Sequence, residues 1–230
     1  MRLAILSDLH ANIISLKRVI RDIKNNSVDH LVILGDLIGY YYWPIEVIEI
    51  LSDFKCTIIK GNHEDCLNKE LDNSYSHGIR LANDLLTKSQ KEIIIALPDK
   101  EELITDNLKI LFKHSFLENN GILSYVYPNK INTGLKNVID IEYSYDYIFI
   151  GHSHHQFICS FNGIIIANPG SVGQPRDIGN LASYIIFDTE NKTIIPRRIS
   201  FPTKELKEMC IKFDPQTKYL YEIFNRNVYD

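Results

Sequence analysis

Short apolar runs that each end in aspartate, histidine or asparagine are the feature that most constrains the fold of this chain. In the first third, the runs LAIL, LVIL and CTIIK end at Ser7-Asp8, Gly35-Asp36 and Gly61-Asn62. Two stretches with apolar residues at helical spacing separate these runs, and the second opens at Pro44. The alternation of apolar strands and helices predicts an α/β protein that begins with a parallel sheet.

The last third of the chain is rich in predicted strands, namely YIFI, QFICS, GIIIA, ASYIIF and KTIIP. Between two of them, Asn162-Gly163 predicts a tight hairpin turn. Residues 64–97 and Leu135 to Ile141 have helical patterns, and 64–97 is expected to be either a cover over a cleft or an ordinary helical layer. Residues 202–230 are expected to form a C-terminal tail with one helical segment. With no repeat and no long linker, residues 1–230 are predicted to form one domain.

Composition excludes several function classes. The formal net charge of -4 argues against a general nucleic-acid binder or a protein that binds anionic membranes. No apolar run approaches the roughly 20 residues of a membrane span, and Asp8 comes too early for a signal peptide. The four cysteines form no CxxC pair, which favours reduced thiols. We therefore expect a cytoplasmic protein.

Polar residues with metal-binding chemistry follow five of the predicted strands. Asp8 and Asp36 are 28 positions apart, and Asp36 and Asn62 are 26 apart, which is about one strand–helix unit per step. Because the carboxyl ends of parallel strands share one edge of a sheet, these side chains should converge. Each residue alone is equally consistent with a turn, helix-cap or buried polar position. The whole set indicates a metal site: Asp8, His10, Asp36, Asn62, His114, His152 and His154.

The predicted ligands are two carboxylates, one amide oxygen and four imidazoles. Such a mixed nitrogen and oxygen set suits Mn, Fe, Zn, Ni or Co better than Mg or Ca. Seven ligands are too many for one ion and suit two divalent metal ions that share a bridging carboxylate. Two such ions would keep a small positive charge that attracts a phosphate ester, activate water, and bind the attacking and leaving oxygens.

Six sequence blocks between residues 7 and 177 resemble the signatures of calcineurin-like metallophosphoesterases, most closely the small single-domain bacterial and archaeal branch. In chain order the blocks are SDLHAN, LGDLIGY, KGNHE, KHS, GHSHH and NPGSVGQPRD. The resemblance implies a four-layer αββα sandwich, in which two mixed β-sheets are flanked by helices. It also implies a dinuclear metal-dependent phosphoesterase that hydrolyses phosphodiester or phosphomonoester bonds by a metal-activated hydroxide. The ligands do not distinguish the two substrate classes, and we expect diesters slightly over monoesters.

The resemblance also implies a role for each site residue. Asp36 would bridge the two ions. His63 would not be a ligand but would face the substrate, where it protonates the leaving group or stabilises phosphate charge. The remaining ligands would divide into Asp8, His10 and His154 for the first ion, and Asn62, His114 and His152 for the second.

Three further features leave alternatives open. Arg176 is expected either to contact a phosphate or to form an ion pair with Asp177 or Asp188. The aromatic stretch Tyr40 to Trp43 is either a stacking surface for a nucleoside or aryl ester, or packing at a helix entry or subunit contact. His155 should point away from the site, because side chains alternate along an extended segment.

Two departures from the family pattern concern the walls of the site. Ala11 stands where the family usually has glycine, and SFLENNG at 115–121 replaces a shorter turn near the second ion. The predicted substrate is a small phosphate ester, a nucleotide or phosphoprotein included, and a homo-oligomer is left open. Alternatives are a metallohydrolase for another bond and a non-catalytic scaffold subunit on the same fold. A scaffold typically loses the site histidines, whereas all of them are present here.

Overall fold

Two mixed five-stranded sheets form the centre of the molecule. The computed structural model describes residues 1–67, 69, 76–118, 120–131, 135, 138 and 144–227. The strands are β1 (Arg2–Leu6), β2 (His30–Ile33), β3 (Cys56–Ile58), β4 (Lys100–Thr105), β5 (Leu108–Lys113), β6 (Tyr147–Phe149), β7 (Gln156–Phe161), β8 (Ile164–Pro169), β9 (Leu181–Asp188) and β10 (Thr193–Ser200).

Sheet A has the strand order β10-β9-β1-β2-β3, and sheet B has the order β4-β5-β6-β8-β7. In sheet A, β1, β2 and β3 are parallel, whereas β9 is antiparallel to both β1 and β10. In sheet B, β5, β6 and β8 are parallel, and β4 and β7 are antiparallel strands at the two edges. Both sheets are therefore mixed, as predicted.

The described helices have the apolar faces and caps that the sequence indicates. In α1 the Asn12 side chain accepts a hydrogen bond from the Ser15 N–H, and α2 begins at Pro44. None of the helices in the described ranges has the length and apolar composition that crossing a membrane requires. The helices are α1 (Ile13–Lys24), α2 (Pro44–Ser52), α3 (His77–Leu85), α4 (Lys88–Ile95), α5 (Lys204–Phe213) and α6 (Tyr219–Glu222).

Alternate residues of the strands pack into different layers. In β1, Leu3 and Ile5 pack between the sheets with residues of sheet B, whereas Ala4 and Leu6 join a cluster that contains residues of α1, α2, α5 and α6. On the outer face of sheet B, residues of the segment between β5 and β6 complete a third cluster. The site is thus built above a core that is buried on both faces of each sheet.

The hairpin at Asn162-Gly163 is confirmed, because β7 and β8 pair antiparallel on either side of it. Strand β4 was not predicted from the sequence. The predicted helix at Leu135 to Ile141 lies largely outside the described residues. Of segment 64–97, the 3-10 turn Glu64–Cys66, α3 and α4 are described, and residues of α3 and α4 are buried in the same cluster as α1.

Candidate metal centre

The loops that follow β1, β2, β3, β5 and β6 bring the predicted site residues together. Asp8, His10, Asp36 and His154 are buried, and one ligand atom of each lies within 4.8 Å of the others. The Nε2 atoms of His10 and His154 are 3.1 Å apart, and Asp8 Oδ1 is 3.2 Å from His154 Nε2. These four residues are the group predicted for the first ion, and their geometry can hold a metal ion.

A second group of ligand atoms lies on the other side of the Asp36 carboxylate. His114 Nε2 is 3.1 Å from Asn62 Oδ1 and 3.4 Å from Asp36 Oδ2. The same Oδ2 atom is 3.7 Å from His10 Nε2, whereas Oδ1 accepts a hydrogen bond from the His63 N–H. Asp36 Oδ2 therefore faces both groups of ligand atoms, as a bridging oxygen would.

His152 completes the second group from the β6–β7 loop. Its ring centroid is 5.2 Å from that of His114, and its backbone N–H donates a hydrogen bond to Asp8 Oδ2. Its Nε2 is buried and has no hydrogen-bond partner, and the same is true of Asp8 Oδ1. Buried polar atoms without a partner are costly, so their presence in this cluster favours a ligand between them.

Backbone carbonyls fix the orientation of three histidines. Because a carbonyl oxygen only accepts, the Nδ1–H groups of His10, His114 and His154 donate to the carbonyls of Ile38, Leu34 and Gln174. Each ring then presents the lone pair of Nε2 to the cluster. This is the arrangement that metal-binding histidines usually have.

Burial and mutual contacts shift the protonation of the cluster. Burial alone would raise the pKa values of Asp8 and Asp36, but neighbouring histidines hold both well below their usual range. Burial lowers the pKa of His10, and it lowers that of His152 to about 3 with help from His114. The carboxylates of Asp8 and Asp36 therefore favour the charged form and the rings of His10 and His152 the neutral form, which are the forms that bind metals.

His114 is the exception to this pattern. Burial would lower its pKa, but the Asp36 carboxylate raises it to about 10. A divalent cation at Asp36 would take the place of that proton. The residues present thus fit two divalent ions.

Left-handed backbone conformations are concentrated in these loops. Positive φ angles occur at Asp8 (54°), Asp36 (53°), His152 (66°) and His154 (59°), a region that non-glycine residues rarely adopt. The GHSHH segment is therefore a turn, and the extended alternation expected for it is wrong. Ala11 also has a φ of 53°, so alanine in place of glycine is accommodated at a cost of roughly 1–3 kcal/mol.

His155 lies outside the cluster of ligand atoms. Its Nδ1 bonds to the carbonyl of Ser153 at 2.7 Å, and its ring is 5.0 Å from that of Tyr127. It is half-buried against this tyrosine, beside the mouth of the site. His63, by contrast, is inside the site, with Nε2 3.9 Å from Asp36 Oδ2.

Glu64 is a site residue that the pattern of strand ends does not reveal. Its buried carboxylate accepts hydrogen bonds from the N–H groups of Asp36, Leu37 and Gly61 at 2.8–2.9 Å. Burial, with the nearby Asp36, raises the pKa of Glu64 to about 7, whereas the N–H groups aimed at it favour the charged form. Glu64 thereby ties the loop after β2 to the loop after β3. Its place in the KGNHE block was the available signal.

Arg176 ends a loop that packs directly against the predicted metal ligands. In this loop the Ser171 hydroxyl donates to the Asp8 carbonyl, and the Arg176 N–H donates to the carbonyl of His154. The guanidinium donates to Tyr40 Oη at 3.2 Å and to Gln174 Oε1. The predicted alternative of an ion pair with Asp177 or Asp188 is wrong.

The two aspartates are engaged elsewhere. Asp177 pairs with Arg198 at 2.6 Å, because Arg198 reaches it from the neighbouring strand β10. Asp188 accepts hydrogen bonds from Asn191 in the turn between β9 and β10. Among the described residues, the hydrogen-bond partners of the Arg176 guanidinium are neutral oxygens.

The aromatic stretch Tyr40 to Trp43 divides between site and core. The ring of Tyr40 is 4.4 Å from that of His10 and 4.7 Å from that of His63. Tyr41 and Tyr42 are buried, and their hydroxyls donate to the Leu220 carbonyl and to Asp214. The packing alternative is confirmed for Tyr41 and Tyr42, whereas a stacking role for Tyr40 stays a prediction.

Two cavities flank the cluster. One of about 510 Å³ is lined by Tyr40 and His63 together with residues of α3 and of the segment 213–220. The other, of about 550 Å³, is lined by Asn62, His114 and Lys60, and also by Leu117 and Gly121 of the SFLENNG stretch. The unusual stretch after His114 therefore does form a wall near the second group of ligands.

Comparisons with known proteins agree with the fold. The chain is 32% identical to the uncharacterized protein MJ0912 of Methanocaldococcus jannaschii, over 91% of this chain and 92% of the relative. It resembles the structure of a metallophosphoesterase from Sphaerobacter thermophilus, with a TM-score of 0.75, 22% identity, and 99% and 100% of the two chains covered. It also resembles hypothetical protein PH1004 from Pyrococcus horikoshii OT3, with a TM-score of 0.78, 16% identity, and 100% and 99% covered.

The family comparison covers most of the chain. The model of the calcineurin-like phosphoesterase superfamily domain matches residues 1–192. This range contains all the strand-end aspartates, histidines and asparagine described above. The chain belongs to the calcineurin-like phosphoesterase superfamily.

Proposed function

We propose that the protein is a dinuclear metal-dependent hydrolase of small phosphate esters, with phosphodiesters favoured over phosphomonoesters. The observation that carries the proposal is the position of Asp36 Oδ2 between His10 Nε2 and His114 Nε2, at 3.7 and 3.4 Å. One ion would be held by Asp8, His10, Asp36 and His154, and the other by Asp36, Asn62, His114 and His152. When bound, two such ions supply Lewis-acid activation of water and neutralise phosphate charge.

His63 is proposed as the group that acts on the leaving oxygen. Its backbone N–H donates a hydrogen bond to Asp36 Oδ1, and its side chain is 14% exposed. In this proposal the imidazole lies beside the ligands and does not bind an ion. From that position it can donate a proton or a hydrogen bond to the leaving group.

Arg176 is proposed to bind a phosphate oxygen. Its guanidinium is half-buried, and Tyr40 joins it to the rings of His10 and His63. A half-buried cation whose hydrogen-bond partners, in the described part of the chain, are neutral oxygens is well suited to an anionic ligand. The phosphate of the substrate would supply the missing negative charge.

The test of the function is turnover with defined metals. Purified protein would be stripped with chelator, reloaded with Mn, Zn, Ni, Co or Fe, and assayed with aryl phosphate monoesters, aryl phosphate diesters and thioesters. We expect hydrolysis of a phosphate ester that depends on added metal. Absence of phosphoester turnover with every metal would refute the proposal, and metal binding without any turnover would favour a scaffold.

Two variants separate metal binding from catalysis. His63→Ala should retain both ions but lose turnover by about 10²–10⁴-fold, the usual range for an acid–base group. Asp36→Asn should lose metal, because its Oδ2 atom faces both ligand groups. Metal content and kcat would be measured on the same preparations. A metal-free His63→Ala together with a fully loaded Asp36→Asn would reverse the assigned roles.

A further inference from the structure

The C-terminal segment, residues 204–227, forms one wall of the cavity beside His63, although it lies beyond the part of the chain that matches the family. It is fixed in place. Leu206, Cys210 and Leu220 are buried in the cluster on the outer face of sheet A. The Asp214 carboxylate accepts hydrogen bonds from the Tyr42 hydroxyl at 2.9 Å and from the His77 N–H at 2.8 Å. The C-terminal segment is therefore a fixed part of the cavity lining.

Aromatic rings face this cavity from two sides. Phe213 and Tyr219 line it from the C-terminal segment, and each is 36% exposed, unlike the buried aromatic residues of the core. Tyr40, from the loop after β2, also lines it, and its ring contacts those of His10 and His63. Exposed aromatic rings that converge on one cavity are typical of a ligand site.

The position of the cavity relative to His63 decides which part of a substrate would occupy it. His63 is itself part of the cavity lining, and it is the residue proposed to act on the leaving oxygen. The organic group attached to that oxygen must then extend into the space between Tyr40 and the C-terminal segment. At about 510 Å³ the cavity is within the range of small-molecule sites.

We infer that the C-terminal segment forms a leaving-group subsite for a planar aromatic group, and that the substrate is an ester of a nucleoside. Tyr40, Phe213 and Tyr219 supply ring faces on which a base can stack, and Gln216 and Thr217 supply amide and hydroxyl groups in the same lining. The inference rests on the proposed phosphoesterase function, because it names the organic part of the same ester.

Binding to the Mn-loaded protein tests the subsite without relying on turnover. Isothermal titration calorimetry would compare adenosine 5′-monophosphate with ribose 5-phosphate, two monoesters of the ribose 5′-hydroxyl that differ in the aromatic base. We expect the nucleotide to bind about tenfold more tightly, the size of effect that one stacked base gives. Equal affinities would overturn the subsite and leave the phosphoesterase proposal standing, whereas turnover assays address that proposal separately.

Variants at Tyr219 localise the effect. Tyr219→Ala should reduce the tenfold advantage of the nucleotide to about twofold or less, whereas Tyr219→Phe keeps the ring and should preserve it. The ratio of the two affinities is the readout, because Arg176 lies over the Tyr219 ring and its displacement would weaken both ligands alike. Tyr221→Ala, in the same helix but outside the cavity lining, is the matched control.

Thermal unfolding of each variant would establish that it is folded. An unchanged nucleotide advantage in a folded Tyr219→Ala variant would overturn the inference. So would an equal loss in Tyr221→Ala, since that result would assign the effect to the packing of the helix.

Discussion

Three of the proposed ligands, His10, His114 and His154, are each held in orientation by the hydrogen bond from Nδ1 to a backbone carbonyl. His154 donates its Nδ1–H to the Gln174 carbonyl at 2.7 Å, and Gln174 in turn accepts from Arg176. The ring of His154 is thus oriented by the same loop that positions the proposed phosphate-binding cation. Metal affinity and substrate affinity should therefore be linked through the residues of this loop.

The three histidines of GHSHH are expected to differ in metal binding. His152→Ala and His154→Ala should each lose one of two ions, because each removes a ligand from a different group. His155→Ala should keep both, because its Nδ1 is bonded to the Ser153 carbonyl and its ring packs on Tyr127. Metal analysis by mass spectrometry on matched preparations checks this. Loss of metal in His155→Ala would contradict the assignment.

Arg176 offers a test of phosphate binding. Arg176→Gln should raise KM and weaken inhibition by inorganic phosphate by about tenfold or more, in line with the loss of a charge-assisted hydrogen bond. Arg176→Lys keeps the positive charge but not the paired N–H donors of the guanidinium, so it should recover part of the lost phosphate affinity. Steady-state kinetics with phosphate as inhibitor would give both values. Unchanged phosphate inhibition in Arg176→Gln would remove this residue from the substrate site.

At the residue scale, the sequence predicted which residues form the site better than it predicted their backbone conformations. The strand-end residues could be found because aspartate, histidine and asparagine follow one buried apolar run after another, at the same edge of the sheet. The left-handed backbone at His152 and His154 could not be found, since it results from packing against Asp8 and the 168–176 loop. Glu64 was missed for the same reason: its partners are backbone N–H groups, which every sequence contains.

At the element scale, helix α1 is joined to sheet A by a polar contact. Arg197 of β10 donates to Asp22 Oδ1 at 2.8 Å, and the Tyr184 hydroxyl of β9 donates to Asp22 Oδ2 at 2.5 Å. Burial would raise the pKa of Asp22, but Arg197 and Tyr184 hold it below the usual value of 3.8. The contact thus favours the charged carboxylate and the folded state.

Removing this contact should destabilise the protein in a pH-dependent way. Asp22→Asn should cost about 1–2 kcal/mol of unfolding free energy at pH 7, a value reduced by partial exposure. Because the folded pKa lies below the unfolded one, the stabilisation is present above about pH 4 and is lost as pH falls through the folded pKa. Urea unfolding at pH 7 and pH 3 measures the difference from wild type.

The control for this variant is Asp53→Asn, an exposed aspartate at the end of α2. It should change the unfolding free energy by less than about 0.5 kcal/mol at either pH. A difference between Asp22→Asn and wild type that grows below pH 4 would contradict the linkage.

Strand β4 shows why some elements escaped prediction. Its sequence, KEELIT, is mostly polar, and its residues are exposed or half-exposed at the edge of sheet B. The strand exists because its backbone pairs with β5 over six residues. Pairing of this kind depends on the partner strand, so local pattern carries little information about it. The buried strands β1, β2, β5 and β6 were predictable because each contains at least three consecutive apolar residues.

At the scale of the whole molecule, the candidate metal centre lies where the two sheets meet. Asp8, His10 and Asp36 follow strands of sheet A, whereas His114, His152 and His154 follow strands of sheet B. An ion bound by both sets therefore stabilises the packing of one sheet on the other. The ion would have this effect because its ligands come from both sheets.

Metal binding should accordingly raise thermal stability. With free Mn at about 100 times its Kd, one site contributes about 2.7 kcal/mol, which corresponds to roughly 5–10 °C in Tm for a chain of this size. Chelator should reverse the shift, and Asp36→Asn should show none. Differential scanning calorimetry with and without Mn measures it. The same Tm for metal-loaded and stripped wild type would contradict metal binding by the folded chain.

The pairing of β1 with β9 has a consequence for how the protein is made. Arg2 of β1 is paired with Asp188 of β9. Strand β1 therefore obtains β9 as its second neighbour only after most of the chain has been synthesised. Until then, a growing chain on the ribosome carries an open strand edge beside Asp8. All seven proposed ligands have been translated by residue 154, yet the loop and strand that brace them come later. We therefore expect metal loading to occur after synthesis, on the completed chain.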